Sequence, residues 1–117
     1  MKSEYTDTTV KEARLLTKPA PYAENGYEID IRVPEEHQHE GAGTRLLKQV
    51  TDDADNEGVT LYAKPEPKLP GYDEEGRKRY EKDKNRLIGL YRRFGFEFEG
   101  YWSKWTGIMI RKQKIRK

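Results

Sequence analysis

From Tyr27 to Val33 apolar and polar residues alternate. Tyr27, Ile29, Ile31 and Val33 fall on one side of an extended chain, and Glu28, Asp30 and Arg32 on the other. A period of two predicts a strand with one buried face. From Thr44 to Glu57 the period lengthens. Leu46, Leu47, Val50 and Ala54 form a stripe at helical spacing, and Gly58 is placed to end the helix. Between them lies Gln38-His39-Glu40-Gly41-Ala42-Gly43-Thr44. A strand therefore runs into a glycine loop, and the loop opens a helix.

Downstream, Val59 to Lys64 alternates again and predicts a second strand. Pro65, Pro67, Pro70 and Gly71 then break regular structure. Residues 73–86 are dense in charge around an isolated Tyr80, which fits either a solvated helix or a mobile loop. A hydrophobic helix follows with Leu87, Ile88, Leu90, Tyr91 and Phe94, closed by Gly95. Phe96 to Glu99 and Thr106 to Arg111 read as two short strands. Upstream, residues 1–9 are polar and predict a frayed end. Thr9-x-x-Glu12 fits a capping box opening a short helix through Leu16, and the same residues fit an edge strand equally well. Pro19 and Pro21 argue against a regular central strand there. Asn25-Gly26 is a two-residue turn signal that folds this segment back on the strand after it.

Composition narrows the picture. The 117 residues are 33% hydrophobic and 38% charged, enough for one modest core. One domain over residues 1–117 is expected, with 1–9 and 112–117 flexible. A net charge of +2 points to no polyanion, and no nucleic-acid partner is expected. The charge is uneven, however: from Lys104 onward there are six basic residues and no acid. The absence of cysteine excludes disulfides, a thiol nucleophile and cysteine-bound metal. His37 and His39 alone do not make a metal site, and none is read here. No apolar run reaches the ~20 residues of a membrane span. Met1-Lys2-Ser3-Glu4 leads into polar residues rather than a signal peptide, so a cytoplasmic protein is expected.

The glycine loop carries the chemistry. Glycines allow close approach to the backbone, and the free N–H groups of a helix's first turn favour an anion. A dinucleotide fingerprint wants glycine where Leu46 stands, and a Walker loop wants Gly-Lys-Ser/Thr where Gly43-Thr44-Arg45 stands; both fail. The helix charges also run against its dipole, with Arg45 and Lys48 early and Asp52, Asp53, Asp55 and Glu57 late. An anion bound at the N-terminus would turn the first two into an asset.

Gln38-x-x-Gly41-x-Gly43 resembles the acetyl-CoA pyrophosphate loop of the GNAT N-acetyltransferases. A second stretch, Leu90-Tyr91-Arg92-Arg93-Phe94-Gly95-Phe96, resembles the family's Leu-Tyr-x-x-x-Gly-Phe. The asparagine that precedes this signature in the family falls at Lys84, with Asn85 one residue late. In outline the chain is similar to small phage anti-CRISPR acetyltransferases, which share a Leu-Tyr-Ala strand, here Leu61-Tyr62-Ala63.

The resemblance implies an α+β fold: a small GNAT-like mixed, mostly antiparallel sheet flanked by helices. Only about 30 residues precede the glycine-loop strand, so its N-terminal half is reduced. It implies transfer of an acetyl group from acetyl-CoA to a primary amine, a protein lysine or an N-terminus, by direct attack on the thioester. Backbone N–H groups of His39, Glu40, Gly41, Ala42, Gly43 and Thr44, with the Gln38 amide and Thr44 hydroxyl, would hold the pyrophosphate. Asn85 would add a coenzyme contact, and the backbone of Ile31, Arg32 and Val33 would pair with the pantetheine arm and polarise the thioester. Tyr91 would protonate the departing thiolate, and Glu28 or Asp30 would take the amine proton. Tyr101, Trp102 and Trp105 would line an acceptor groove or fill core. The competing expectation is a catalytically decayed domain that binds a protein or nucleic acid through its basic C-terminus.

Overall fold

The structure is a computed structural model that describes residues 1–34, 37, 40–67 and 73–112. Gln38 and His39 lie outside the described residues. Five strands form one sheet in the order β1 (Glu4–Thr6), β2 (Arg14–Pro19), β3 (Gly26–Arg32), β4 (Thr60–Ala63) and β5 (Met109–Arg111). Every neighbouring pair is antiparallel except β3 and β4. That parallel pair is joined through helix α1 (Ala42–Glu57), because parallel strands need a crossover. Helices α2 (Glu74–Arg93) and α3 (Gly100–Thr106) lie between β4 and β5 in sequence. The mixed, mostly antiparallel sheet with helices is the fold class read from the sequence.

Register decides which face is core. Leu15 sits opposite Ile31, Tyr27 opposite Leu61, and Ala63 between Ile29 and Met109. These residues share one face, and Leu15, Leu61, Ala63 and Met109 are fully buried. Leu46, Leu47, Val50 and Ala54 of α1 join them in one cluster with Tyr91 and Phe96. The opposite face carries a row running Lys18, Glu28, Tyr62 and Ile110.

Several expectations are corrected. Residues 4–6 are not frayed: they form edge strand β1, and Tyr5 donates to Asp53 on α1 at 2.6 Å. Thr9 to Glu12 start no helix, and the chain turns there into β2, which lies inside the sheet. Pro19 is tolerated because it is the last residue of β2, beyond the part that pairs with β1. Of the two alternatives for residues 73–86 the structure has the helix, continuous with the hydrophobic one after it over Glu74–Arg93. Its first half buries only Gly76, so hydrophobic periodicity has little to report. Its ends specify it instead: Asp73 caps Gly76 N–H at 2.8 Å, Glu74 and Glu75 open it, and Arg92 and Arg93 close it. Phe96 to Glu99 contribute only a bridge between Glu97 and Ile110, and α3 occupies the stretch between the two expected strands.

The basic C-terminus is also less free than its composition suggests. Arg111 is 4% exposed and grips Asp55 of α1 through two bonds of 2.9 and 3.0 Å. Its Nε donates to the Phe94 carbonyl at 2.6 Å, tying β5, α1 and the end of α2 together. Lys112 pairs with Glu99 at 2.8 Å. Among the described residues, no helix is long and apolar enough to cross a membrane.

Candidate active site

β3 pairs with β2 over its last six residues but with β4 only from Gly26 to Ile29. Asp30, Ile31 and Arg32 run on without a β4 partner, because β4 ends at Ala63 before Pro65. The strands therefore part at their carboxyl ends, where open α/β sheets receive ligands. The β3 edge facing this gap is backbone that can pair with an extended ligand. Ile31 and Val33 are half-buried, and Arg32 is exposed.

The glycine loop delivers the chain from β3 to α1. Gly41 is the N-cap at φ 78°, in the left-handed region open to glycine. No side chain caps the first turn, and it contains no acid, so its N–H groups lack a side-chain acceptor. Glu40 and Thr44 are exposed, whereas the Ala42 side chain is buried. A Cβ on Gly43 would meet Leu90 of α2 at 3.3 Å, so this glycine also lets the two helices approach.

The next residue of α2 is Tyr91. Its side chain is only 3% exposed and packs on Phe96 with ring centroids 5.3 Å apart. No buried side-chain nitrogen or oxygen among the described residues lacks a hydrogen-bond partner. The Tyr91 hydroxyl bonds to no described residue. Burial, and then the nearby Asp30 carboxylate, push its pKa above the ordinary tyrosine value. The phenol therefore stays protonated at any working pH.

Glu28 and Asp30 lie on the face opposite α1, and each is ion-paired. Lys18 lies 3.2 Å from Glu28, and Arg32 lies 3.0 Å from Asp30. Tyr22, Tyr62 and Trp102 pack together on that face, with centroids 4.9–6.2 Å apart. Burial, followed by the Glu28 carboxylate, raises the Tyr22 pKa. Trp102 thus belongs to an aromatic cluster on the sheet. Tyr101 and Trp105 are 85% and 75% exposed and are not core. Asn85 is exposed on α2 and makes no hydrogen bond to a described residue.

One functional candidate has no sequence signature. Asp7, in the turn between β1 and β2, accepts from Arg45 Nε at 2.7 Å and Nη2 at 2.8 Å. Arg45 Nη1 reaches the Glu40 carbonyl at 2.9 Å. The arginine whose charge opposes the α1 dipole is thus answered by a protein carboxylate. Lys48 is likewise answered by Asp52 at 3.4 Å. These pairs offset both misplaced charges within the chain itself.

The Arg45 bonds hold the Asp7 pKa down to about 2, below the ordinary carboxylate value. A depressed folded-state pKa stabilises above the unfolded value near 4, and that contribution is lost as pH falls through about 2. Asp7→Asn is therefore expected to flatten the acid limb of Tm against pH. The gap to the parent should close between about pH 4 and 2; a constant gap would deny Asp7 this role.

Residues 13–69 match the model of the Acetyltransferase (GNAT) family. The match covers just under half of the chain, and the chain shares the GNAT fold. The matched stretch runs from β2 through the glycine loop and α1 past β4, which is the frame of the candidate site. Solved structures share the GNAT fold at low identity. The ribosomal-protein-S18-alanine N-acetyltransferase from Escherichia coli superposes with a TM-score of 0.60 at 20% identity, over 96% of this chain and 68% of that one. A protein described as a GNAT-family acetyltransferase from Desulfovibrio desulfuricans gives 0.59 at 21%, over 92% and 65%. One described as a phosphinothricin N-acetyltransferase gives 0.62 at 18%, over 94% and 66%. The chain thus spans about two thirds of the length of these structures. No curated protein matches it. Leu61-Tyr62-Ala63 lies within β4.

Proposed function

We propose that the domain moves an acetyl group from acetyl-CoA to a primary amine on a protein, a lysine side chain or an N-terminus. The observation that carries this reading is the gap between β3 and β4. The β3 edge is unpaired with β4 beyond Ile29, and the chain leaving β3 leads to the uncapped start of α1.

The residues suit the coenzyme. The first turn of α1 offers N–H donors and a positive dipole end to a pyrophosphate, with no acid to repel it. The β3 backbone from Ile31 to Val33 offers an edge to the pantetheine arm and an N–H donor to the thioester carbonyl. Bound acetyl-CoA supplies the activated acyl group. Asp30, whose charge reaches Tyr91, is the better placed of the two carboxylates to receive the amine proton, and Tyr91 gives a proton to the thiolate. A protein acceptor is supported by the surface of α3. Tyr101 and Trp105 stand one turn apart and largely exposed, as aromatic side chains at protein contacts do.

The same two aromatics favour the second reading, a GNAT-fold binding module without turnover. Isothermal titration with acetyl-CoA, followed by mass spectrometry of lysine-bearing and free N-terminal peptides, separates the two. Binding with a mass gain of one acetyl group on peptide supports the enzyme. Binding with no transfer to any amine supports the module, and absence of binding ends the acetyl-CoA reading.

A further inference from the structure

We propose that Asp7 and Arg45 are positioning residues that set the glycine loop for the coenzyme, an inference that rests on the acetyl-CoA reading above. The Asp7 side chain is 1% exposed, and both its oxygens are used. Oδ1 accepts from Arg45 Nε; Oδ2 accepts from Nη2 and from the Val10 N–H at 2.8 Å. Such a two-bond fork fixes the plane of the guanidinium as well as its position. The remaining arm, Nη1, is thereby presented to the Glu40 carbonyl at 2.9 Å.

The consequence lies in the next peptide. A trans peptide is planar, and its C=O and N–H point in opposite directions. Pinning the Glu40 carbonyl to Arg45 turns the Gly41 N–H away from Arg45, towards the open side of the loop. The clasp thus removes an acceptor from the mouth of an anion cradle and aims a donor into it. It also accounts for glycine at 41, since a Cβ there would stand 3.0 Å from Nη1. Arg45 itself is spoken for by Asp7, so its charge acts through the loop and not as a phosphate ligand. A merely structural pair would hold the turn between β1 and β2 against α1 and leave the loop indifferent.

The test compares the parent with Asp7→Asn and Arg45→Lys. Asparagine loses the charge of the fork, and lysine keeps the charge but loses the fork. Circular dichroism verifies folding, and Arg45→Lys carries the test if Asp7→Asn does not fold. Amide hydrogen exchange is followed at Glu40 to Thr44 in the ligand-free protein, with the α2 amides as internal reference, and acetyl-CoA affinity is measured by titration. The expected result is loop exchange faster by about tenfold against an unchanged reference, with affinity weaker by about fivefold. Unchanged loop exchange overturns the clasp. Faster exchange with parental affinity overturns its role in coenzyme binding and leaves a structural pair. A parent that binds no acetyl-CoA fails the functional reading and the pyrophosphate role together. The exchange data then still decide, by themselves, whether the pair holds the loop.

Discussion

Tyr91→Phe is expected to lower kcat by roughly 10² to 10⁴ while leaving acetyl-CoA affinity unchanged. The ring is what packs: it is buried, lies on Phe96 and shares a core cluster with α1. Phenylalanine keeps all of that. Only the hydroxyl is lost, and it bonds to no described residue. Stability should therefore stay near the parent's, and the defect should be kinetic. The raised pKa adds a second expectation. Burial keeps the phenol protonated, so Tyr91 does not impose an alkaline fall in rate below its ordinary value near 10. Turnover equal to the parent's would return Tyr91 to a packing role.

Gly41→Val should weaken acetyl-CoA binding by at least about tenfold, roughly 1.4 kcal/mol. Two independent constraints act at this residue. Its φ of 78° is a conformation that β-branched residues avoid, at about 1–2 kcal/mol. Its Cβ would press on Arg45 Nη1, whose position is set by Asp7. The loop must then change shape, and the N–H groups at the start of α1 move with it. Titration after a circular dichroism check reads the effect. Parental affinity in a folded variant would show that the pyrophosphate lies elsewhere. Gly43 is a weaker place to test the same idea, because a side chain there would first disturb Leu90 and the seat of Tyr91.

The parts of the fold legible in the sequence are those in which one apolar face repeats. β3, α1 and β4 each carry such a face, and their limits fall within a residue or two of the periodic stretch. α2 was half visible because its first ten residues bury only Gly76 and are specified by Asp73 and matched end charges. α3 was hidden for a different reason. Gly100 and Gly107, both at positive φ, bound a helix of only seven residues, and its large aromatics point mostly outward. Of the two motifs, the structure shows one direct meeting, that of Gly43 with Leu90. Asp7 could not be read at all: 38 residues separate it from Arg45, and nothing local marks a carboxylate that will be buried. Arg111 was misjudged for the same reason, since a basic run looks solvated until Asp55 is placed beneath it.

Those distant bonds converge on one element. Tyr5 meets α1 at Asp53, Asp7 meets it at Arg45, and Arg111 meets it at Asp55. Strands from both margins of the sheet are thus fastened to the same helix, by contacts spanning 48, 38 and 56 residues. Strand margins ordinarily open on their own, well before the centre. Here β1 or β5 cannot peel away without breaking a bond to α1, and α1 cannot melt without releasing both. The domain should therefore unfold as a single cooperative unit, with the amides of β1 and β5 protected almost as long as those of β3.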